Sequence, residues 1–430
     1  MTKIKTENDD LAEAFCHTVL NQYFFDERAY INFNRKITDF NGIPRPSKWL
    51  GKNRFILSII LKYSNYLRFF WSYIFSYILF TVQALNCCTN LVIKKKSDPS
   101  FRKTLALAVC NRSYEVINQA VQASDHKLWL EFKLGAVSKY LNNSKEHFTN
   151  CLTVVSIGSI FESLLVAFHL HKFVRKHEDK KLIMQTYTAF TWVLALSAME
   201  KIAPNKIITA EHHDRWAILI DYYCAKIKKN GKNVDFIVVQ HGNEYSETYS
   251  NVTDNIKYRE LPYKLQNVTE MYVYDELQSK LFLENIICTE KNQLNYPKVN
   301  FYKFNMALFD TGKEGFCILF VGHPVCEKLQ IYLFKSMQSK SMQSKSMHFF
   351  FKPHPTCEYS EKNNPGWTVI QGSSQFPKVD LLISYPSTLV DEYAKINIDS
   401  FVHALSTCES EYENYAKLLH NKLQTVYPVK

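Results

Sequence analysis

Two short apolar runs in this chain stop at loops whose side chains could hold a phosphate. Phe349, Phe350 and Phe351 lead into Lys352, Pro353, His354 and Pro355; Leu381, Leu382 and Ile383, opened by Asp380, lead into Ser384, Tyr385, Pro386, Ser387 and Thr388. The triplets predict buried strands, and 389–394 predicts a helix for which Ser387 is a natural N-cap. In an open parallel sheet, ligands bind outside the carboxyl ends of the strands. A lysine, a histidine and the hydroxyls of Ser384, Ser387 and Thr388 at such ends suit a phosphate. Two further predicted strands end in groups that could move a proton. Residues 236–239 run into Gln240, His241, Gly242, Asn243 and Glu244, and residues 207–209 lead to Glu211, His212, His213 and Asp214. Histidine titrates near neutrality, so His241 leads as a general base. Asp214, Glu211 and Glu244 are rivals, since a carboxylate needs only burial or a charged neighbour to reach a useful pKa. The plainer alternative for His241 is a bond to a backbone carbonyl at its strand end. His212 and His213 open a helix and are expected to point apart, so no metal site is predicted and no cofactor is implied.

Lys352-Pro-His-Pro, followed further on by a strand ending in Ser384-x-x-Ser387-Thr388 before a helix, resembles the carboxyl-terminal half of bacterial GT-B glycosyltransferases. The nearest resemblance is to enzymes of capsule and lipopolysaccharide synthesis that use cytidine-nucleotide donors: sialyl-, Kdo- and glycerophosphate-transferases. The resemblance implies that His354 with Lys352, and Ser387 with Thr388, hold the donor phosphate. Gln240-His241-Gly242 after a strand is similar to the amino-terminal halves of the same families, where it faces the nucleotide domain. The chain departs from them in lacking an Asp/Glu-Asp-Gly motif, and in having Gly-Asn-Glu after His241 where the glycerophosphate polymerases have Gly-Thr-Pro. The resemblance implies a glycosyltransferase moving a sugar from a nucleotide donor, CMP-linked, to a glycan or glycolipid acceptor. A CDP-polyol phosphate transferase of the same fold and a non-catalytic membrane-associated scaffold are the alternatives. No D-x-D motif stands at a strand end, so metal-dependent GT-A chemistry is not expected.

The elements that must position these residues follow from the rest of the chain. At 430 residues the expectation is two domains with an appendage. The fold class expected is α/β and GT-B-like: two Rossmann-like domains facing across a cleft, with a helical, hydrophobic amino-terminal region. The boundaries are 1–100 for that region, 101–311 for the acceptor-side domain and 312–430 for the donor-binding domain. Only 11 glycines occur, and no G-x-G-x-x-G, which argues against a dinucleotide-binding enzyme. The formal charge of +11 suits an anionic membrane face or phosphorylated substrates. No helix-turn-helix, zinc-finger or RNP signature points to nucleic acid. Eleven cysteines without C-x-x-C spacing fit reduced thiols.

Residues 1–14 are charged and do not read as a signal peptide. Residues 69–93 hold no charged side chain and are flanked by Lys62 and Arg68 on one side and Lys94–Lys96 on the other. Their length allows a span, a buried or dimer helix, or a helix lying on the membrane surface. The surface helix leads, which places the protein in the cytoplasm, peripheral at the inner face of the cell membrane. Residues 97–200 read as mostly helical scaffold, with 151–171 a strand running into a buried helix. Strand–helix alternation begins near Lys206. The pentapeptide Lys335-Ser-Met-Gln-Ser recurs at Lys340 and is read as lengthening a solvated helix end. The closing segment, 409–424, is read as a helix, which in GT-B folds often packs back across the cleft.

Overall fold

The computed structural model describes residues 7–32, 40, 42–44, 59, 62–93, 104–121, 127–131, 147–242, 261–289, 296–341, 347–354, 364–371 and 375–426. Two parallel sheets organise the chain. In the first, β1 (Thr104–Ala108), β2 (Lys127–Glu131), β3 (His147–Asn150), β4 (Lys206–Thr209), β5 (Asp235–Val239), β6 (Glu270–Val273) and β7 (Lys298–Phe301) take the order 3-2-1-4-5-6-7. After a short β8 (Leu308–Phe309), the second sheet is built from β9 (Phe316–Val321), β10 (Met347–Lys352), β11 (Thr368–Val369), β13 (Leu381–Ser384) and β14 (Asp399–Val402), in the order 11-10-9-13-14. The residual β12 (Phe376–Pro377) pairs with β8 in a separate ribbon. Both orders are those of Rossmann-like sheets, with the reversal at β1/β4 in the first and β9/β13 in the second. The expected α/β architecture of two such units is therefore present.

β9 shows why these strands form. Phe316, Ile318 and Phe320 enter one core of the second unit, and Cys317, Leu319 and Val321 the other. A parallel sheet covered on both faces demands such an unbroken apolar run. The first unit has the same two-sided build, with Leu105 and Leu107 of β1 on one side and Ala106 on the other.

Several expectations need correction. Three strands, β1 to β3, lie in the stretch read as helical scaffold, so the strand–helix rhythm starts at Thr104 rather than Lys206. β1 reads Thr-Leu-Ala-Leu-Ala, residues that favour helix in isolation, and burial on both faces overrides that preference. Residues 151–171 form two helices, Cys151–Val154 and the first part of Ile157–Arg175, parted by extended Val155 and Ser156, with no strand. Helix Glu7–Asn32 places Leu11, Ala12, Phe15 and Val19 in the first core, and Lys229 Nζ reaches Asp10 at 2.6 Å. The last helix, Tyr412–Val426, buries Ala416, Leu419 and Leu423 in the second unit's own core instead of crossing the cleft. The first copy of the pentapeptide lies in helix Glu327–Ser341, and its Met337 is a core residue rather than part of a solvated end. Every cysteine among the described residues is free.

Residues 64–93 form one helix, Ser64–Phe70 and Ser76–Ile93 joined by a π turn at Trp71–Phe75. Ser72, Ser76, Phe80 and Ala84, four residues apart, are buried against the first unit, while most of the other faces are open. That excludes a fully buried core helix. Among the described residues, three helical stretches are long and apolar enough to cross a membrane: this one, Ile157–Arg175 and Lys180–Ile202, the last largely buried in the first unit.

Candidate active site

The carboxyl ends of β9, β10 and β13 lie side by side in the second sheet and gather three aromatic side chains. His323, two residues past β9, sits edge-on to His354 at 5.1 Å between ring centroids and to Tyr385 at 5.3 Å. Burial pulls the His323 imidazole down to about 3, with His354 adding to the effect, and burial also lowers His354. Both rings are therefore neutral at pH 7. Gly322 makes this packing possible, because a Cβ there would stand 2.1 Å from Phe351 Cζ.

The residues expected to hold phosphate separate into two groups. His354, Ser387 and Thr388 are half-buried at the strand ends. Ser387 occupies the N-cap position of helix Thr388–Ala394, as expected, but its hydroxyl makes no cap bond and lies 3.1 Å from Ser384 Oγ. Lys352 and Ser384, expected beside them, are buried at the ends of their strands. The Lys352 ammonium donates to the Gln375 carbonyl at 2.8 Å and lies over the Phe376 ring at 4.6 Å. Burial pulls it down to about 8, against an upward pull from Glu115 of the first unit. Ser384 Oγ donates to the Tyr385 carbonyl at 2.7 Å. Each is the last residue of its strand; Ser384 braces the loop that follows, and Lys352 ties down the segment before β12.

On the facing unit, His241 Nδ1 lies 2.5 Å from the Ala210 carbonyl. A carbonyl only accepts, so a proton sits on Nδ1, and it is Nε2 that carries the lone pair whenever the ring is neutral. The backbone bond of the plainer alternative is thus present, and it also fixes the tautomer a base needs. Gln240, fully buried, holds the turn: Nε2 donates to the Gly242 carbonyl at 2.8 Å and to Gln278 Oε1 at 2.6 Å, and Oε1 accepts from Tyr274 N at 2.9 Å. Glu211 stands at the β1/β4 reversal, where Ser113 Oγ, on helix Asn111–Ala120, donates to it at 3.1 Å. Burial raises the Glu211 carboxyl against a downward pull from His212. Asp214 is the N-cap of helix Arg215–Lys229, accepting from Trp216 N at 2.8 Å and Ala217 N at 3.1 Å. Burial and the neighbouring Glu211 push it up to about 7. Its oxygen serves the helix, which fits a positioning part better than that of a base. His212 and His213 do not diverge at once, since their rings meet edge-on at 4.5 Å; beyond that His213 stacks on Phe25 and His212 meets Phe282 at a tilt. Among the described residues no group of three metal-ligating side chains forms. Glu244 lies outside the described residues.

The two halves meet. A Cβ placed on Gly242 would lie 3.4 Å from Thr388 Oγ1, so the loop carrying His241 abuts the loop carrying Ser387. Arg112, on the helix after β1, pairs with Glu392 of helix Thr388–Ala394 and stacks on Phe304 at 3.7 Å. The Lys395 ammonium lies over the Tyr274 ring at 4.6 Å. Sequence reasoning missed Arg112, Ser113, His323, Tyr385 and Glu392. His323-Pro324 repeats the His354-Pro355 pair and was the one available signal. Two open concavities, of about 850 Å³ beside helix Glu276–Asn285 and 450 Å³ beside helix Glu7–Asn32, are lined by none of these residues.

No family model matches the chain, and no curated protein matches it in sequence. Among solved structures it is similar to MnaA of S. aureus in its co-structure with UDP, at 9% identity over 76% of this chain and 90% of that one, with a TM-score of 0.43. It is also similar to HepE of Anabaena in complex with UDP and glucose, at 10% identity over 76% and 92%, TM-score 0.40. A third is the spinosyn rhamnosyltransferase SpnG, at 9% identity over 75% and 91%, TM-score 0.38.

Proposed function

We propose that this chain is a glycosyltransferase that moves a sugar from a nucleotide donor, a cytidine nucleotide, to a hydroxyl of a surface glycan or glycolipid. The observation that carries this is the apposition of the His241 loop and the Ser387–Thr388 loop at the carboxyl ends of two Rossmann-like sheets. His354, Ser387 and Thr388 bind the donor phosphate and stabilise the charge that develops on it as the glycosidic bond breaks. His241 Nε2 takes the acceptor's proton, with Glu211 as the rival on the same wall. The choice of cytidine rests on the Lys-Pro-His-Pro and Ser-x-x-Ser motifs.

The test is nucleotide binding followed by turnover. Of CMP, CDP, UDP and GDP, the cytidine nucleotides should raise the melting temperature; a ligand at 100 times its Kd stabilises by about 2.7 kcal/mol. His354→Ala and Ser387→Ala should each weaken that binding by roughly 1.5–3 kcal/mol. His241→Ala should bind normally and turn over about 10²–10⁴-fold more slowly. Stabilisation by UDP alone would move the donor assignment. Unchanged affinity in both phosphate variants would remove the site, and a fast His241 variant with a dead Glu211→Gln would transfer the base to the carboxylate.

A further inference from the structure

Helix 64–93 turns a row of large apolar side chains outward, among them Tyr66 (67% exposed), Phe69, Tyr73, Ile78, Val82 and Leu85. Helix Ile157–Arg175 packs beside it and extends the surface with Phe161 and Leu165, the latter also 67% exposed. Large apolar side chains exposed together on neighbouring helices, with Glu162 the acid beside Phe161, mark an interaction site. The two helices run antiparallel: Phe168 meets Tyr77 and Phe80, whereas His171 and Arg175 reach back to Ser72. The carboxyl end of one helix therefore lies beside the amino end of the other. That end gathers Lys62, Arg68, Lys172, Arg175 and Lys176, with Glu178 and Asp179 the nearby acids, and no acidic residue occurs anywhere in 62–93.

We infer that this face docks flat on an anionic lipid bilayer, its aromatic and aliphatic side chains entering the headgroup boundary and its cationic end pairing with lipid phosphates. Aromatics and cations side by side on a two-faced helix are what an interfacial helix requires. Charge selects the occupant, since the cations gathered at one end of this face complement the phosphates of an anionic bilayer. The fixed inner face favours a surface helix over a span. Ser76 Oγ bonds His171 Nε2 at 3.0 Å, Trp71 Nε1 donates to Thr186 Oγ1 at 3.2 Å, and Phe80 is fully buried in the first core. A crossing helix would have to carry that polar network into hydrocarbon.

The full chain is co-sedimented with vesicles of phosphatidylcholine alone and of phosphatidylcholine mixed with phosphatidylglycerol. Binding is expected only to the anionic vesicles, with release as salt approaches about 1 M, where screening acts within about 3 Å. Phe69→Ser with Ile78→Ser should abolish binding at low salt. Lys172→Gln with Lys176→Gln should weaken it roughly tenfold or more. All four side chains are exposed, and an unchanged circular dichroism spectrum checks the fold. Pelleting that survives both salt and alkaline carbonate means a span and overturns the proposal, as does equal binding to neutral vesicles. So does a dimer that the Phe69/Ile78 variant dissolves, or the absence of any vesicle binding.

Discussion

His403 gives the most direct physical test of the second unit. It follows β14, is 2% exposed, and its backbone N–H donates to the Ser384 carbonyl at 2.9 Å, beneath the loop that carries Ser387. Nδ1 donates to the Ala404 carbonyl at 2.8 Å, so Nε2 must accept from Gln330 Nε2, which lies 3.1 Å away. Protonation would set two donors against each other, and burial accordingly pulls the imidazole down to about 4. The unfolded value is near 6.5, so in that interval the unfolded chain binds more protons and stability rises with pH. The contribution is complete above about pH 6.5 and is lost as pH falls towards 4. A difference of about 2.5 pKa units is about 3.4 kcal/mol in full, of which about 2 kcal/mol disappears between about pH 7.5 and pH 5. His171 and His323 are also held low and add acid sensitivity of their own, so the informative quantity is a difference between proteins. Urea unfolding should be followed at both pH values through Trp367, the second unit's own tryptophan, by fluorine NMR of fluorotryptophan-labelled protein, with Trp367→Phe assigning the signal. His403→Gln should be less stable than the native chain at pH 7.5 and should lose about 2 kcal/mol less on acidification. Parallel pH profiles for the two proteins would refute the reasoning, because a buried neutral histidine cannot be removed without flattening the curve.

Gly322→Ala should cost about 1–3 kcal/mol or more in chemical denaturation, since its methyl would overlap Phe351 and disturb the stack of that ring on Trp367 at 4.4 Å. Nucleotide affinity should fall with it, because His323 follows directly; a fully stable variant with native affinity would show that the strand ends repack freely. Glu392→Gln removes the charge that pairs with Arg112 across the two units while keeping the side chain's shape. Small-angle scattering should report a larger radius of gyration than for the native chain, and an unchanged value would mean that the loop contacts alone hold the units together.

The second unit was legible because its strands are covered on both faces. β9, β10 and β13 are apolar enough to stand out against any background, and the turns after them are rich in proline and serine. The first unit hid its opening strands. β2 reads Lys-Leu-Trp-Leu-Glu and is buried along its whole length, including Lys127, whose amine donates to the Val121 carbonyl at 2.8 Å. Nothing local reveals that a lysine and a glutamate at the ends of such a run will be buried. β7 failed for the opposite reason: its residues are half-buried or exposed, so no apolar pattern remains. The half-seated helix 64–93 was ambiguous because its buried row contains two serines, whose partner His171 lies 95 residues from Ser76.

The site follows a rule of position that motif reading does not contain. At these strand ends the nearest polar or small residue is buried and braces the structure, and the side chain one to three places further on lies towards the cleft. Ala210 supplies the carbonyl and Glu211 faces Ser113; Gln240 makes the clamp and His241 follows; Lys352 ties down Gln375 and His354 follows. Ser384 is buried and Ser387 lies beyond it. The cause is geometric. The last residue of a parallel strand is still held by its neighbours' hydrogen bonds under the covering helices, whereas the chain must leave the sheet before a side chain can point past its edge. A motif such as Lys-Pro-His-Pro therefore mixes a brace and a candidate ligand, and residue type alone cannot separate them. The same count assigns His323 and Tyr385, each the second residue past or the first beyond its strand, to the cleft rather than the frame. It also locates what went unseen in the first unit: once β1 is recognised as ending at Ala108, the helix that follows must start at the reversal point, and Arg112 and Ser113 come with it.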